Sequence, residues 1–278
     1  MLIATFLALG AAVLHAAWNL SVKQAGDRFI AMWGQFLIAG VVGGFLLLAF
    51  PALRELSWRH AFASGLTHVV YTMGLAAAYG AGDFALTYPL ARGGGAVLAA
   101  LGGAVVLHDG LTPLGWVGVF VIGTGLVLIT RPSWGTGDRA AVGYAALVAC
   151  TIGTYTVIDT VGSRRSGGSG YVLGSFVTTA LTLSVTGVAR GRTADLGAAL
   201  RVGWRRLGAG GLASMATYAM VLAAVRHAPV GYVAAIRECS VVLAALAGVR
   251  LLGEGHARAR VTAACVVAVG LLVLVVGR

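Results

Sequence analysis

YPLARGGGAVLAALGGAVVLHDG, Tyr88 to Gly110, decides the fold, because the chain writes this stretch a second time. Setting Arg92 on Arg237, 145 positions later, lays RGGGAVLAALGGAVVLHDG over RECSVVLAALAGVRLLGEG without a gap, and nine of the nineteen positions are identical. The register carries into the next helix, where Val121, Gly125 and Leu126 fall on Val266, Gly270 and Leu271. A repeat of about half the chain sets the architecture before any motif is read. Each copy also places an arginine inside a long apolar run, where a charge is costly and by default functional.

Working outward, hydrophobic residues make up 59% of the chain and charged residues 10%, with a mean hydropathy of +0.90. A soluble domain carries about 25% charged residues, so this chain has too few to cover a water-facing surface. Apolar windows of roughly 20 residues, the length of a membrane-crossing helix, tile it almost completely. The expected fold is an all-α membrane protein of ten transmembrane helices arranged as two inverted five-helix repeats, residues 1–130 and 141–278. An odd number of spans per repeat inverts the second copy, a design that recurs among secondary transporters with substrate sites near the membrane midplane. The expected helices lie near 2–22, 29–50, 60–79, 84–107, 114–129, 142–161, 171–189, 207–225, 230–252 and 261–276. The first lacks a basic leading region and reads as a retained span. Pro89 and the Gly93–Gly95 run predict a kink or break in helix 4. The loop RPSWGTGDRAA, Arg131–Ala141, has the composition of a boundary. DLGAALRVGWRRL, ahead of helix 8, predicts a short basic amphipathic helix on the membrane surface.

The net charge of +11 does not point to nucleic acid, because Lys and Arg gather at helix ends and loops, where they act as topology signals. Six sit on the face that holds the termini and twelve on the opposite face. By the positive-inside rule that count puts the termini outside. Cys150, Cys239 and Cys265 lie in apolar helices without metal-ligand spacing, and neither a metal nor a cofactor is expected.

The candidate site residues sit on single faces of four helices. His15, Trp18 and Asn19 are spaced i, i+3, i+4 on helix 1, and Tyr155 and Asp159 are four apart on helix 6. Tyr88 and Arg92 lie on helix 4, and Arg237 and Glu238 on helix 9. Polar groups facing lipid would stay unsatisfied, so these nine are expected around one polar cavity at mid-membrane. An arginine fork matches carboxylate or phosphonate oxygens. Arg92 or Arg237 is therefore expected to hold an anionic group, with Asp159 or Glu238 pairing the other arginine or carrying a coupling proton. Asp109 and Glu254 fall at turns and read as helix caps.

HAAWN at His15–Asn19, YPLARG at Tyr88–Gly93, TYTVID at Thr154–Asp159 and IRECS at Ile236–Ser240 together resemble the EamA-like transporters of the drug/metabolite transporter superfamily. The acidic turns HDG and GEG, each followed by a Gly-rich helix, are similar to that family too, although His108–Asp109 stands where relatives usually carry Gly-Glu. The resemblance covers nearly the whole chain and names no substrate. It implies a ten-helix carrier in a bacterial-type inner membrane with cytoplasmic termini, against the charge count. It also implies a small-molecule substrate, the lipid bilayer as surroundings, and no nucleic-acid partner; a homodimer stays open.

Two function classes follow. One is a secondary carrier of a small organic metabolite. The other is an intramembrane enzyme using His15, Asp159 or Glu238 as acid or base. The sequence contains no HExxH, GxSxG or P-loop pattern to support catalysis, and duplication suits a machine that exchanges two conformations.

Overall fold

The computed structural model describes residues 2–106, 112–130, 139–166, 170–224 and 240–277. Among them are ten α-helices and no strand: α1 Leu2–Lys23, α2 Arg28–Ala49, α3 Trp58–Ala81, α4 Phe84–Val106, α5 Pro113–Thr130, α6 Arg139–Arg164, α7 Gly170–Ala189, α8 Thr193–Ala224, α9 Ser240–Leu251 and α10 Ala257–Val276. One 3-10 turn, Pro51–Leu53, follows α2. Seven helices (α1 to α4, α6, α7 and α10) are long and apolar enough to cross a membrane, consistent with a multi-pass membrane protein. The side chains are distributed inside out relative to a soluble protein. Phe6, Phe45 and Phe120 point outward at 70%, 67% and 76% exposure, while Asn19, Ser64, Thr87, Thr178 and Ser240 are buried. That arrangement suits a hydrocarbon solvent, which rewards internal pairing of polar groups.

Of two local expectations, one is met and one changes. The basic segment ahead of helix 8 forms a short helix of its own, joined to that helix across a kink at Gly203 (φ −118°, ψ 15°). Its Leu196 turns inward while Val202, Trp204, Arg205 and Arg206 stay exposed. Helix 4 is not broken: α4 runs unbroken through Pro89. A proline there removes one backbone bond, and the three glycines serve close packing. A methyl on Gly93 would stand 2.8 Å from Val267 of α10, and one on Gly95 2.5 Å from Ile152 of α6. The acidic turn at His108–Asp109, most of the Arg131 loop, and the stretch of helix 9 with Arg237 and Glu238 lie outside the described residues.

Helix directions alternate consistently. Gly74 meets Val148 and Gly82 meets Ala141, so α3 and α6 run antiparallel; Gly94 meets Ala149 and Gly102 meets Val157, so α4 and α6 run parallel. Likewise Gly34 meets Leu207 and Gly43 meets Met215, making α2 parallel to α8, while Gly10 against Met220 belongs to the antiparallel pair α1 and α8. In each of these pairs an odd-numbered helix runs against an even-numbered one and even-numbered helices run together, as a chain crossing a slab back and forth requires.

The α5–α10 seam is the most informative contact. A Cβ on Gly125 would stand 2.8 Å from Val267 N and 3.2 Å from Ala263 O; one on Gly270 would stand 2.6 Å from Ile122 N and 3.1 Å from Gly118 O. Shifting each residue by the 145-position repeat register turns the first pair of contacts into the second. The two helices are antiparallel, and only glycine lets their backbones approach this closely.

At the α1–α2 turn, Asp27 caps α2 by accepting from Ile30 N at 3.0 Å and pairs with Arg192 at 2.5 Å, tying this turn to the α7–α8 turn. Partial burial pushes the Asp27 carboxyl up, but these donors outweigh it and hold it below the ordinary aspartate range.

Two predictions follow from these contacts. Gly125→Ala should destabilise the folded protein by roughly 1–2 kcal/mol through overpacking, whereas Gly123→Ala on the same helix, which meets nothing within 4 Å, should be neutral or mildly stabilising; thermal unfolding in detergent reads both. Asp27→Asn keeps the cap and loses the charge, so it should cost about 0.5 kcal/mol or less given the pair's exposure. Because the folded carboxyl titrates below its unfolded value, that difference is present at neutral pH and disappears as pH falls through the folded value; melting curves across that range check it.

Candidate functional site

Four helices converge on one internal cavity. α1 supplies His15 and Asn19, α3 Tyr71 and Tyr79, α4 Tyr88 and Arg92, and α6 Tyr155. The structure therefore brings together five of the nine candidate residues. Each is carried inward by helical spacing: the i, i+4 pair His15 and Asn19 faces the i, i+4 pair Tyr88 and Arg92. Asn19 Nδ2 donates to His15 O at 2.9 Å, and Asn19 Oδ1 accepts from Tyr79 OH at 2.9 Å. The His15 ring stands edge-on to Trp18 at 5.5 Å and to Tyr88 at 6.2 Å. Tyr88 OH donates to Ser240 Oγ at 3.2 Å, joining α4 to α9. Arg92 is half-buried and acts electrostatically on Tyr71 and Tyr79. The cavity measures about 20 Å³, room for a single water, so this conformation is closed around its polar groups.

Two candidates stand elsewhere. Trp18 is buried, 6% exposed, in a seam with Gln35, Phe36 and Phe176 that has no room for water. Asp159 accepts from Tyr171 OH of α7 at 2.8 Å and faces Ser64 and His68 of α3. The expectation that both line the same cavity as Arg92 is not met. One helical turn carries Asp159 past the cavity to the α3–α7 side. Arg237 and Glu238 lie outside the described residues. Conversely, Tyr71, Leu75 and Tyr79 form an i, i+4, i+8 stripe into the cavity; that spacing was the signal for Tyr79, which the sequence reading passed over.

Beyond the Asn19–Tyr79 bond lies a cluster of charges. Lys23 Nζ, one turn past Asn19, donates to Tyr79 O at 2.9 Å and Gly82 O at 2.5 Å, covering the last carbonyls of α3. Glu254 accepts from Phe84 N at 2.5 Å and Ala85 N at 2.7 Å, so it caps α4. Lys23 and Glu254 are 4.0 Å apart. Arg260, whose side chain is 2% exposed, pairs with Asp83. Anions at a helix N-terminus and cations at a C-terminus are each favoured by the backbone dipoles, and here one ion pair serves both. In the repeat register Asp83 falls on Ala228 and Arg260 on Gly115, so the sequence does not repeat this ion pair.

The fold is similar to that of a solved structure described as "Crystal structure of protein", with a TM-score of 0.63 and 20% identity, over 97% of this chain and 95% of that one. At such identity the likeness concerns the fold alone. No protein-family model matches the chain and no curated protein does.

If Glu254 holds the α4 N-terminus, Glu254→Ala should raise amide hydrogen exchange of a peptide covering Phe84–Leu90 at least about tenfold, equivalent to roughly 1.4 kcal/mol, with peptides from α7 unchanged. Unchanged exchange at α4 would mean that the carboxylate does not keep this end closed.

Proposed function

We propose that the protein is a secondary carrier of a small organic metabolite, anionic or zwitterionic, working by alternating access between two inverted five-helix halves, about 1–130 and 141–278. The observation that carries this reading is the α5–α10 seam. Its contacts Gly125 to Val267 and Gly270 to Ile122 exchange under the repeat register, between antiparallel helices. Equivalent helices related in this way support a two-fold axis lying in the membrane plane, near residues 123–124 and 268–269. The alternation of helix directions among the packed pairs supports ten crossings, including the shorter helices. The resemblance to EamA-like transporters of the drug/metabolite transporter superfamily supports the same class and a bacterial-type inner membrane.

The cavity supplies the chemistry. Arg92 offers a planar fork of donors in a low-dielectric surrounding, where charge-assisted bonds to a carboxylate or phosphonate are strong. His15, Asn19 and Tyr88 supply hydrogen bonds, and Tyr71, Tyr79 and Tyr155 shape an apolar remainder. A 20 Å³ space admits no metabolite, so binding requires the halves to separate. The Lys23–Glu254 and Asp83–Arg260 pairs close one end in this conformation, and a carrier cycle must break them when it opens there. Arg237, the repeat partner of Arg92, is proposed to approach the same site.

Uptake by proteoliposomes, screened against amino acids, phosphonates and other small anions, tests the reading. A substrate should emerge whose apparent affinity falls at least about tenfold in Arg92→Lys, because lysine lacks the bidentate fork. A transported substrate whose affinity is unchanged in both Arg92→Lys and Arg237→Lys would make the arginines structural.

A further inference from the structure

The polar cluster around Asp159 is absorbed by neither the cavity nor the charged closure. Asp159 Oδ1 accepts from Tyr171 OH at 2.8 Å. From α3, Ser64 and His68 complete its polar surroundings. His68 Nδ1 lies 2.8 Å from Ser64 O and 3.3 Å from Ser64 Oγ. A bond to the carbonyl puts a hydrogen on Nδ1 and leaves Nε2 to gain or lose a proton. The His68 ring stacks on Tyr155 with centroids 4.4 Å apart, and Tyr155 lines the cavity. One aromatic layer therefore separates the carboxyl–imidazole cluster from the candidate substrate site.

The charges around the cluster limit what it can do. A lone carboxylate among apolar helices costs several kcal/mol unless it is paired or protonated. Among the described residues, the titratable or charged groups nearby are His68 and Tyr71 on α3, Tyr155 on α6 itself, Tyr171 on α7, Tyr218 on α8 beside Tyr171, and Arg92 on α4. Arg92 acts on Tyr71. Among the described residues, hydroxyls and one imidazole surround the Asp159 carboxyl, and that imidazole is itself a proton-binding group.

We propose that Asp159, Ser64 and His68 form a proton-binding site distinct from the Arg92 site, and that its occupancy is communicated to the cavity through the His68–Tyr155 stack. One proton from water loads the cluster, held on the Asp159 carboxyl or on His68 Nε2. Its release to water leaves the Asp159 carboxylate held by the Tyr171 and Ser64 hydroxyls beside a neutral imidazole. Its use in coupling rests on the carrier reading, whereas proton binding itself does not.

The test needs no substrate. The detergent-purified full chain is titrated with pH while infrared difference spectroscopy follows the C=O stretch of protonated carboxyl groups. The expected result is a titrating carboxyl band that is lost in Asp159→Asn and shifted in frequency in Asp159→Glu, which keeps the assignment open to test if the asparagine variant does not fold. His68→Gln should move the midpoint of that band by at least about one pH unit, because the imidazole is its main electrostatic partner. A band that persists unchanged in both Asp159 variants, or a midpoint untouched in His68→Gln, overturns the proposal. A titration that survives in a protein that carries nothing supports the proton site and contradicts the carrier reading.

Discussion

Close approach of helix backbones is the constraint on which the rest of the structure depends. In hydrocarbon no hydrophobic force drives one apolar helix against another, so association relies on dispersion and on residues small enough to let helices touch. The chain meets this requirement with glycine at its seams: Gly125 and Gly270 between α5 and α10, Gly93 to Gly95 where α4 meets α6 and α10, and Gly153 against Leu98. Because the seam contacts of α5 and α10 recur in the repeat register, each of these helices packs on the other by the same solution.

That packing isolates three polar systems. The cavity between α1, α3, α4 and α6 gathers donors and aromatic faces around Arg92 in a space too small for more than a water. The charged closure at Lys23, Asp83, Glu254 and Arg260 satisfies the ends of α3 and α4 with side chains from α1, from the α9–α10 turn and from α10. The Asp159–His68 cluster faces the α3–α7 side and meets the cavity through the rings of Tyr155 and Tyr71. In the proposed carrier cycle, separating binding, closure and proton exchange in this way would give each its own equilibrium, and each would bias the same rearrangement of halves.

Much of this was legible in the sequence, for reasons that differ by feature. The helices follow from apolar run length, and the repeat from a gap-free register through Arg92 and Arg237. The direction in which a polar residue points was harder to read. His15, Asn19, Tyr88 and Arg92 were placed together by i, i+4 spacing, and they do meet. Asp159 shares a helix face with Tyr155 to a first approximation, yet one turn of α6 moves it from one neighbour to another. Such a displacement depends on where α3, α4 and α7 cross, which no local pattern encodes. The charged closure was hidden for another reason. Lys23, Asp83 and Arg260 sit at helix ends, where charges ordinarily mark topology, and only the three-dimensional meeting of three turns reveals them as partners. Glu254 was correctly read as a cap, but its helix is α4, 170 positions from Phe84 in the chain.

The central claim, a site exposed in turn to either side of the membrane, is tested most directly by the accessibility of a single cysteine placed at Ala91 in a cysteine-free background. Ala91 lines the cavity and is 2% exposed in the closed conformation. A membrane-impermeant thiol reagent applied separately to right-side-out and inside-out vesicles should label it slowly from both sides. Labelling from one side alone, or from neither while the protein transports its substrate, would contradict the account.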